Sequence, residues 1–368
     1  MIVKNEEENI LRFLNHHKKL ANEIIVVDTG STDNTKKICV ENGAKVYDFE
    51  WCDDFSEARN ESLKHATGDW ILVLDADEFL SAKDMYKILK LSELNDRQTC
   101  YLLTQRHYTN KTNIDTVPVS GEFPNYEWGF SYYYQSSIAR LFPNSRSLYF
   151  TYCVHEMIEP QAKIYKYRIV PTDIIIHHYG QIASKQKNKS EFYIRLGKKK
   201  IEENPEDPKA YYELGLEYNA LGKHSEAAEA FAEAQHICNI SEISCEHASA
   251  KLNQNELMSA KSLYVDAIKL NPYNFLAYVG LATVELRNND LPFALFQIER
   301  AISLSPNNIN ALLLYAEILE KNGKPVDSVH IYKKLIKIDS ANRNKYRTLG
   351  LRIIEKYRLY PGELDYVD

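Results

Sequence analysis

Trp70-Ile-Leu-Val-Leu74-Asp75-Ala76-Asp77 is a short apolar run that ends in two carboxylates. Glu23-Ile-Ile-Val-Val-Asp28 has the same form upstream and continues as Thr29-Gly-Ser-Thr-Asp33. Apolar runs of four or five residues, bounded by turn residues, read as strands covered on both faces. A helix is expected from Asp33 to about Glu41, a strand at Ala44–Tyr47 and a helix at Phe55–Ala66. Strands alternating with helices imply βαβ units and a mainly parallel sheet. Ligands of such sheets sit beyond the carboxyl ends of the strands, where both acidic clusters fall.

Asp75 and Asp77 lie two apart at a strand end, so both side chains can point the same way. Paired carboxylates repel unless something positive binds. Hard oxygen donors with open positions suit Mg²⁺ or Mn²⁺ and a phosphate-bearing substrate. Asp28 is placed to accept hydrogen bonds from a base or ribose, with Asp33 capping the following helix. Arg59 precedes the second acidic strand on a helix, and its fork suits phosphate or a base edge; the plainer reading is an ion pair with a nearby acid.

The second half has a different grammar. Asn204-Pro205, Asn271-Pro272 and Ser305-Pro306 punctuate it at multiples of about 34 residues, with Cys238-Asn239 and Asp339-Ser340 where the missing marks fall. Tyr211, Leu214, Gly215, Tyr218, Ala227, Phe231 and Ala234 recur as Ala248, Ala260, Tyr264 and Ala267, then as Tyr278, Leu281, Ala282, Ala294, Ile298 and Ala301. Leu312, Tyr315, Ala316, Leu319, Tyr332 and Leu335 make a fourth unit, and Tyr346, Leu349 and Gly350 begin a fifth. This pattern resembles the tetratricopeptide repeat over residues 205 to 355. Small residues at positions 8 and 20 let two antiparallel helices approach, and large ones fill the seam with the next unit. Such arrays commonly hold a peptide or protein.

The 368 residues predict two or three domains. We read a boundary near 185–195, with an α/β domain over 1–190 and an all-α repeat array over 191–368. Formal net charge is −6, which sets up no strong field toward nucleic acid or anionic lipid. The chain has 13 glycines, and neither G-x-x-x-x-G-K-[ST] nor G-x-G-x-x-G occurs, which argues against a nucleotidyltransferase with a Gly-rich triphosphate loop. No run approaches the ~18 apolar residues of a membrane span. Charge arrives at Lys4, before any apolar region, so no signal peptide is expected. Cys39, Cys52, Cys100, Cys153, Cys238 and Cys245 form no C-x-x-C pair. The expectation is a reduced, cytoplasmic protein.

Val3-Lys-Asn5-Glu6, Ile24-Ile-Val-Val-Asp28 with Ser31-Thr-Asp33, Asp54-Phe-Ser-Glu-Ala-Arg59-Asn60 and Asp75-Ala76-Asp77-Glu78 occur in that order. Arg140-Leu-Phe-Pro-Asn144, Val154-His155-Glu156 and His178-Tyr-Gly180 follow. Together they resemble the family 2 glycosyltransferases of GT-A fold, a Rossmann-like mixed sheet, across residues 1–185. Joined to C-terminal repeats, the chain resembles the peptide S-glycosyltransferases of glycosylated bacteriocins. The resemblance implies a UDP-sugar donor, held by Asn5, Asp28, Arg59, Asp75, Ala76 and Arg140. It places the uridine on Asp28 and Arg59 and the ribose on Asp75. Asp77 would bind Mg²⁺ or Mn²⁺ bridging the diphosphate, with His178 as a late third ligand; the plainer reading of His177 and His178 is a strand-end pair with one ring buried.

Inversion at the sugar carbon needs a base on the acceptor's side. Glu156 is the leading candidate, with His155 to hold it or to contact the donor. Position 159 is Glu, so Val154-His155-Glu156 is no zinc-protease motif. The aromatic stretch holding Phe123, Tyr126, Trp128, Phe130, Tyr132, Tyr133, Tyr134, Tyr149, Phe150 and Tyr152 suits sugar rings and a core strand equally. The resembling enzymes carry more residues before the Ile-Val-Lys-Asn-Glu motif, so a short first strand is expected here. They carry glycine where this chain has Tyr152, which predicts a reshaped acceptor subsite.

The reading is therefore a metal-dependent, inverting enzyme moving glucose or an N-acetylhexosamine to a Cys or Ser of a peptide held by the array. Pairing of two copies is left open. A cytosolic enzyme of cell-surface or lipid-linked glycans is the nearest alternative, and it needs a membrane-facing segment, for which Lys185 to Lys200 is the candidate. A repeat scaffold with a degenerate, non-catalytic α/β module is the alternative of another class; the presence of Asp75, Asp77, His155 and Glu156 argues against it.

Overall fold

The computed structural model describes residues 1–94, 96–110, 116–180 and 186–359. The chain divides into two compact units, residues 1–110 with 121–185, and residues 111–120 with 186–368.

The first unit opens as expected. β1 (Ile2–Val3), α1 (Glu7–His17), β2 (Ile25–Asp28), α2 (Thr35–Glu41) and β3 (Lys45–Asp48) form a βαβαβ unit whose strands pair in parallel in the order β1-β2-β3. Every residue of β2 is buried, as its apolar run requires. The apolar side of α1 buries Ile10, Phe13, Leu14 and His17, at the i, i+3, i+4, i+7 spacing of one helix face.

The rest departs from a mainly parallel sheet. After α3 (Phe55–His65), β4 (Trp70–Leu72), β5 (Glu78–Leu80) and α4 (Ala82–Glu93) come two long strands, β6 (Thr99–Thr109) and, beyond β7 (Val117–Pro118) and α5 (Pro124–Glu127), β8 (Tyr132–Pro143). α6 (Glu159–Ile164) and β9 (Arg168–His178) complete the unit. These strands lie in the order β4-β8-β6-β9-β5. Only β6 and β9 run in parallel; β4–β8, β6–β8 and β5–β9 are antiparallel. The sheet is mixed because β8 and β9 return along strands that precede them, which no local pattern announces. The aromatic stretch is divided. Tyr132 and Phe150 are core residues, whereas Tyr149 and Trp128 are exposed.

Among the described residues from 186 onward the secondary structure is helical: α7 (Gln186–Glu203), α8 (Pro208–Ala220), α9 (His224–Ile237), α10 (Ser241–Asn253), α11 (Leu257–Leu270), α12 (Phe275–Arg287), α13 (Leu291–Leu304), α14 (Ile309–Lys321), α15 (Pro325–Ile338) and α16 (Arg343–Tyr357). The first helices of successive units start at 208, 241, 275, 309 and 343, a spacing of 33 or 34. The eighth position of each unit is small and buried, as Gly215, Ala248, Ala282, Ala316 and Gly350. The twentieth is Ala227, Ala260, Ala294 and Ser328, also buried. Ser328 stands where the pattern calls for alanine. Its hydroxyl is satisfied by donating across the helix pair to the Ala316 carbonyl at 2.7 Å. At Gly215 and Gly280 even a methyl group has no room. A Cβ on Gly215 would lie 2.6 Å from the Phe231 ring, and one on Gly280 would lie 2.1 Å from the Tyr264 ring.

Of the candidate membrane-facing run, Lys200 is buried and donates to Glu213 Oε2 at 2.7 Å, a structural ion pair, whereas Lys198 is exposed; Lys185 lies outside the described residues. No helix among the described residues is long and apolar enough to cross a membrane. None of the six cysteines is in a disulfide.

Gly215→Ala is expected to destabilise the repeat unit by about 1–3 kcal/mol, the usual cost of overpacking. Phe231→Leu in the same chain should recover part of it. Denaturant midpoints of the two single variants and the double variant check this.

Candidate active site

Three segments converge on the end of α3. Asp54 caps that helix, accepting from the Glu57 backbone N–H at 3.1 Å. Asn60 then clamps an approaching loop. Its amide donates to the Phe150 carbonyl at 2.9 Å and its oxygen accepts the Phe150 N–H at 2.7 Å. The Phe55 N–H donates to the Cys153 carbonyl at 2.9 Å. Thr151 and Met157 pair backbone to backbone and close a tight loop over 151–157. That loop carries Tyr152, His155 and Glu156.

Arg59 projects from the buried face of α3 and is 4 % exposed. Its Nε donates to Glu156 Oε1 at 2.8 Å, and its Nη2 donates to Asp75 Oδ2 at 3.0 Å. Nη1 lies 2.8 Å from Asp75 Oδ1. Both ends of the guanidinium fork are therefore committed to carboxylates, rather than left for a uracil edge. Burial alone would push the Asp75 carboxyl up, but the charges of Arg59 and Arg140 outweigh it and hold Asp75 well below the usual carboxylate range. Arg140, also nearly buried, lies 3.6 Å from Asp75 Oδ2 and donates to Glu78 Oε1 at 3.3 Å.

Glu78 is fully buried and was not among the expected site residues. Its Oε2 accepts the Asp75 N–H at 2.8 Å, and its Oε1 accepts from Gln105 and Arg140. Burial pushes the Glu78 carboxyl up against the pull of Arg140. The acidic motif thus divides its work. Glu78 ties down the backbone of the turn, Ala76 is buried within it, and Asp75 and Asp77 keep accessible side chains.

The pairing of β5 with β9 sets Glu78 opposite His178 and so brings Asp77 to the same place. Asp77 Oδ2 lies 3.5 Å from His178 Nε2. Burial would lower the His178 pKa, but the hydrogen bond and charge of Asp77 raise it above the ordinary histidine value. Gly180 lines the same space. A Cβ there would sit 2.7 Å from His178 Nε2 and 3.2 Å from Asp77 Oδ2. Two donors of a divalent ion at ~2.1 Å lie about 3 Å apart when adjacent in an octahedron, so this oxygen, this nitrogen and the space beside them fit one. No cluster of three or more His, Cys, Asp or Glu able to hold a metal occurs among the described residues. A metal at Asp77 and His178 would take its remaining ligands from substrate and water, as Mg²⁺ sites in phosphate enzymes do. His177 is the buried member of the pair, with burial pushing it down to about 3 and its ring stacked on Tyr126.

Asp28 ends β2 and is 2 % exposed. Its Oδ1 accepts from the Gly30 and Ser31 N–H groups at 2.9 and 2.8 Å, while its Oδ2 has no partner. A buried carboxylate oxygen without a donor costs free energy until a ligand supplies one. Asn5 braces the same turn, since its Oδ1 accepts the Thr32 N–H at 2.8 Å and its own N–H donates to Ser31 Oγ at 2.9 Å. Asp33 accepts the Thr35 N–H at 2.9 Å, so it serves the start of α2 from one residue before the N-cap, Asn34.

Tyr152 has φ +76° and His155 has φ +52°, both in the left-handed region. The glycine expected at 152 would meet that conformation without cost. Tyr152→Gly is therefore expected to be more stable than Tyr152→Ala by about 1 kcal/mol, because both lose the ring and only alanine keeps the strain. Thermal melting of the pair checks this.

Residues 1–153 match the family described as Glycosyl transferase family 2, and residues 199–239 and 245–309 match the Tetratricopeptide repeat. A TPR repeat-containing protein of Synechococcus elongatus is 33% identical over 223 residues, 58% of this chain and 50% of its own. The SPbeta prophage-derived glycosyltransferase SunS of Bacillus subtilis is 32% identical over 234 residues, 62% of this chain and 50% of its own. An uncharacterized glycosyltransferase of Rickettsia felis is 39% identical over 104 residues, 27% of this chain and 36% of its own. The chain thus spans about half the length of the first two relatives. What the motifs resembled, the matches bear out: this chain carries a glycosyltransferase family 2 domain followed by tetratricopeptide repeats.

Proposed function

We propose that this protein is a metal-dependent, inverting glycosyltransferase that moves a hexose, glucose or an N-acetylhexosamine, from a UDP-sugar to a peptide side chain in the cytoplasm. The observation that carries this reading is the approach of Asp77 Oδ2 to His178 Nε2, 3.5 Å apart at the ends of two strands, with the Gly180 backbone so close to both that no side chain fits there.

Asp28 Oδ2 takes a donor from the base and Asp75 the ribose. Asp77 and His178 would hold Mg²⁺ or Mn²⁺, which would supply positive charge to the diphosphate leaving group. Arg59 positions Asp75 and Glu156, Arg140 positions Asp75 and Glu78, and Asn5 holds the turn beneath the base. Glu156 takes the acceptor's proton, with His155 at the rim of the same loop. A cysteine acceptor asks little of that base, because a thiol ionises near pH 8.5, whereas a serine hydroxyl asks far more. The repeat array and the likeness to SunS support a peptide acceptor of the bacteriocin type.

Melting of the whole chain tests the donor site without an acceptor. A rise of several degrees is expected with Mn²⁺ and UDP together, since ligand at about a hundred times its Kd contributes roughly 2.7 kcal/mol. Asp77→Ala should abolish the rise, and a chain unmoved by any nucleotide would favour the scaffold reading. Glu156→Gln is expected to slow sugar transfer to a peptide thiol by about 10²–10⁴-fold while leaving the Mn²⁺–UDP shift in place. Transfer at the unsubstituted rate would remove Glu156 as the base.

A further inference from the structure

β6 lies between β8 and β9, and its alternate residues Gln105 and His107 face the site. Gln105 stands opposite Ser136 on β8, and His107 stands opposite His178 on β9. Their side chains join into one line of hydrogen bonds. His178 Nδ1 is 2.7 Å from His107 Nδ1, His107 Nε2 is 2.8 Å from Ser136 Oγ, and Ser136 Oγ is 3.3 Å from Gln105 Oε1. The Gln105 amide nitrogen donates to Glu78 Oε1, which also accepts from Arg140.

The direction of every proton along this line follows from its far end. A guanidinium can only donate, so Glu78 Oε1 accepts. Gln105 then presents its NH₂ to Glu78 and its oxygen to Ser136. The Ser136 hydroxyl donates to that oxygen and has a lone pair for His107. His107 Nε2 therefore carries the proton, and His107 Nδ1 is the lone pair. That lone pair accepts the Nδ1–H of His178. The remaining nitrogen of His178, Nε2, is the one that faces Asp77 and Gly180. The His107 ring is steadied by Tyr134, stacked at 4.5 Å and 9°.

We propose that His107 is a positioning residue for the metal site, accepting the Nδ1–H of His178 and so directing the Nε2 lone pair of His178 to the ion beside Asp77. The inference rests on the metal reading of Asp77 and His178. Metal-bound histidines almost always donate their second ring N–H to a fixed acceptor, and loss of that acceptor typically costs 10- to 100-fold in metal affinity. Here the acceptor is a second imidazole whose own orientation is relayed from Arg140.

Two measurements on the full chain test it. In metal-free protein labelled with ¹⁵N at histidine, a downfield ring proton should couple to the Nδ1 atoms of both His107 and His178. Its absence would overturn the proposal. In Mn²⁺ titrations with UDP, followed by the EPR signal of free Mn²⁺, His107→Ala should weaken metal binding about 10- to 100-fold. UDP binding without metal should be unchanged. His107→Gln, whose amide oxygen can accept the same proton, should restore much of the affinity, which a merely structural role for His107 would not predict. Equal Mn²⁺ affinity in the unsubstituted protein and His107→Ala would overturn the proposal and leave the metal site standing. No Mn²⁺ binding by the unsubstituted protein would remove the metal reading itself, and the proposal with it.

Discussion

A buried guanidinium between two carboxylates organises the first unit. Arg59 comes from α3, Asp75 from the turn after β4, and Glu156 from a loop 97 residues away in the chain. Taking such charges out of water costs several kcal/mol each, and the cost is offset only when the geometry is good and every charge has a partner. Removing one partner of a buried pair typically costs 3–5 kcal/mol, because the charge left behind has no water to turn to. The consequence here is positional. Asp75 and Glu156 cannot drift apart without stranding Arg59, so the turn read as a ribose contact and the loop read as carrying the base are held in register by one side chain.

The alternation of β6 and β9 carries the second constraint. His177 and His178 are neighbours in sequence but point to opposite faces of the sheet. His177 enters an aromatic core with Tyr108, Phe123 and Tyr126, and burial keeps it neutral. His178 joins Asp77 and His107 on the other face. A one-residue slip of β9 would exchange the two, setting the His177 ring beside Asp77 instead. The parallel ladder of β6 with β9 and the pairing of β5 with β9 guard against that slip.

The repeat array works by a simpler rule. Helix pairs close where the facing residues have almost no side chain, so Gly215, Ala248, Ala282, Ala316 and Gly350 are buried at one position of each unit. Ser328 shows that the rule concerns volume and satisfied polarity rather than residue identity. A hydroxyl fits where a methyl usually sits, provided that a carbonyl is within reach.

By itself the sequence determined the elements whose causes are local. The apolar runs at 24–27 and 70–74, the punctuation every 33 or 34 residues and the spaced small residues each follow from period, turn chemistry and volume, and they announce an α/β unit followed by a helical array. The acidic strand ends were legible as candidate chemistry from the same local pattern, whereas His178 was singled out only through the family resemblance. What lay outside that reach depends on residues far apart in the chain. Whether the second sheet is parallel or mixed depends on where β8 and β9 return. For Arg59 the sequence leaves open a fork for phosphate or a base edge and an ion pair with a nearby acid, and the structure pairs it with Asp75 and Glu156. Gln105, Ser136 and His107 carry no motif of their own, because their roles arise from cross-strand register alone. Gly180 differs from any other glycine only once Asp77 and His178 are folded against it. Local patterns specify which residues are apolar, small or charged. Only the pairing of distant strands decides which buried charge meets which partner, since burial makes an unpaired charge so costly that the fold must supply one.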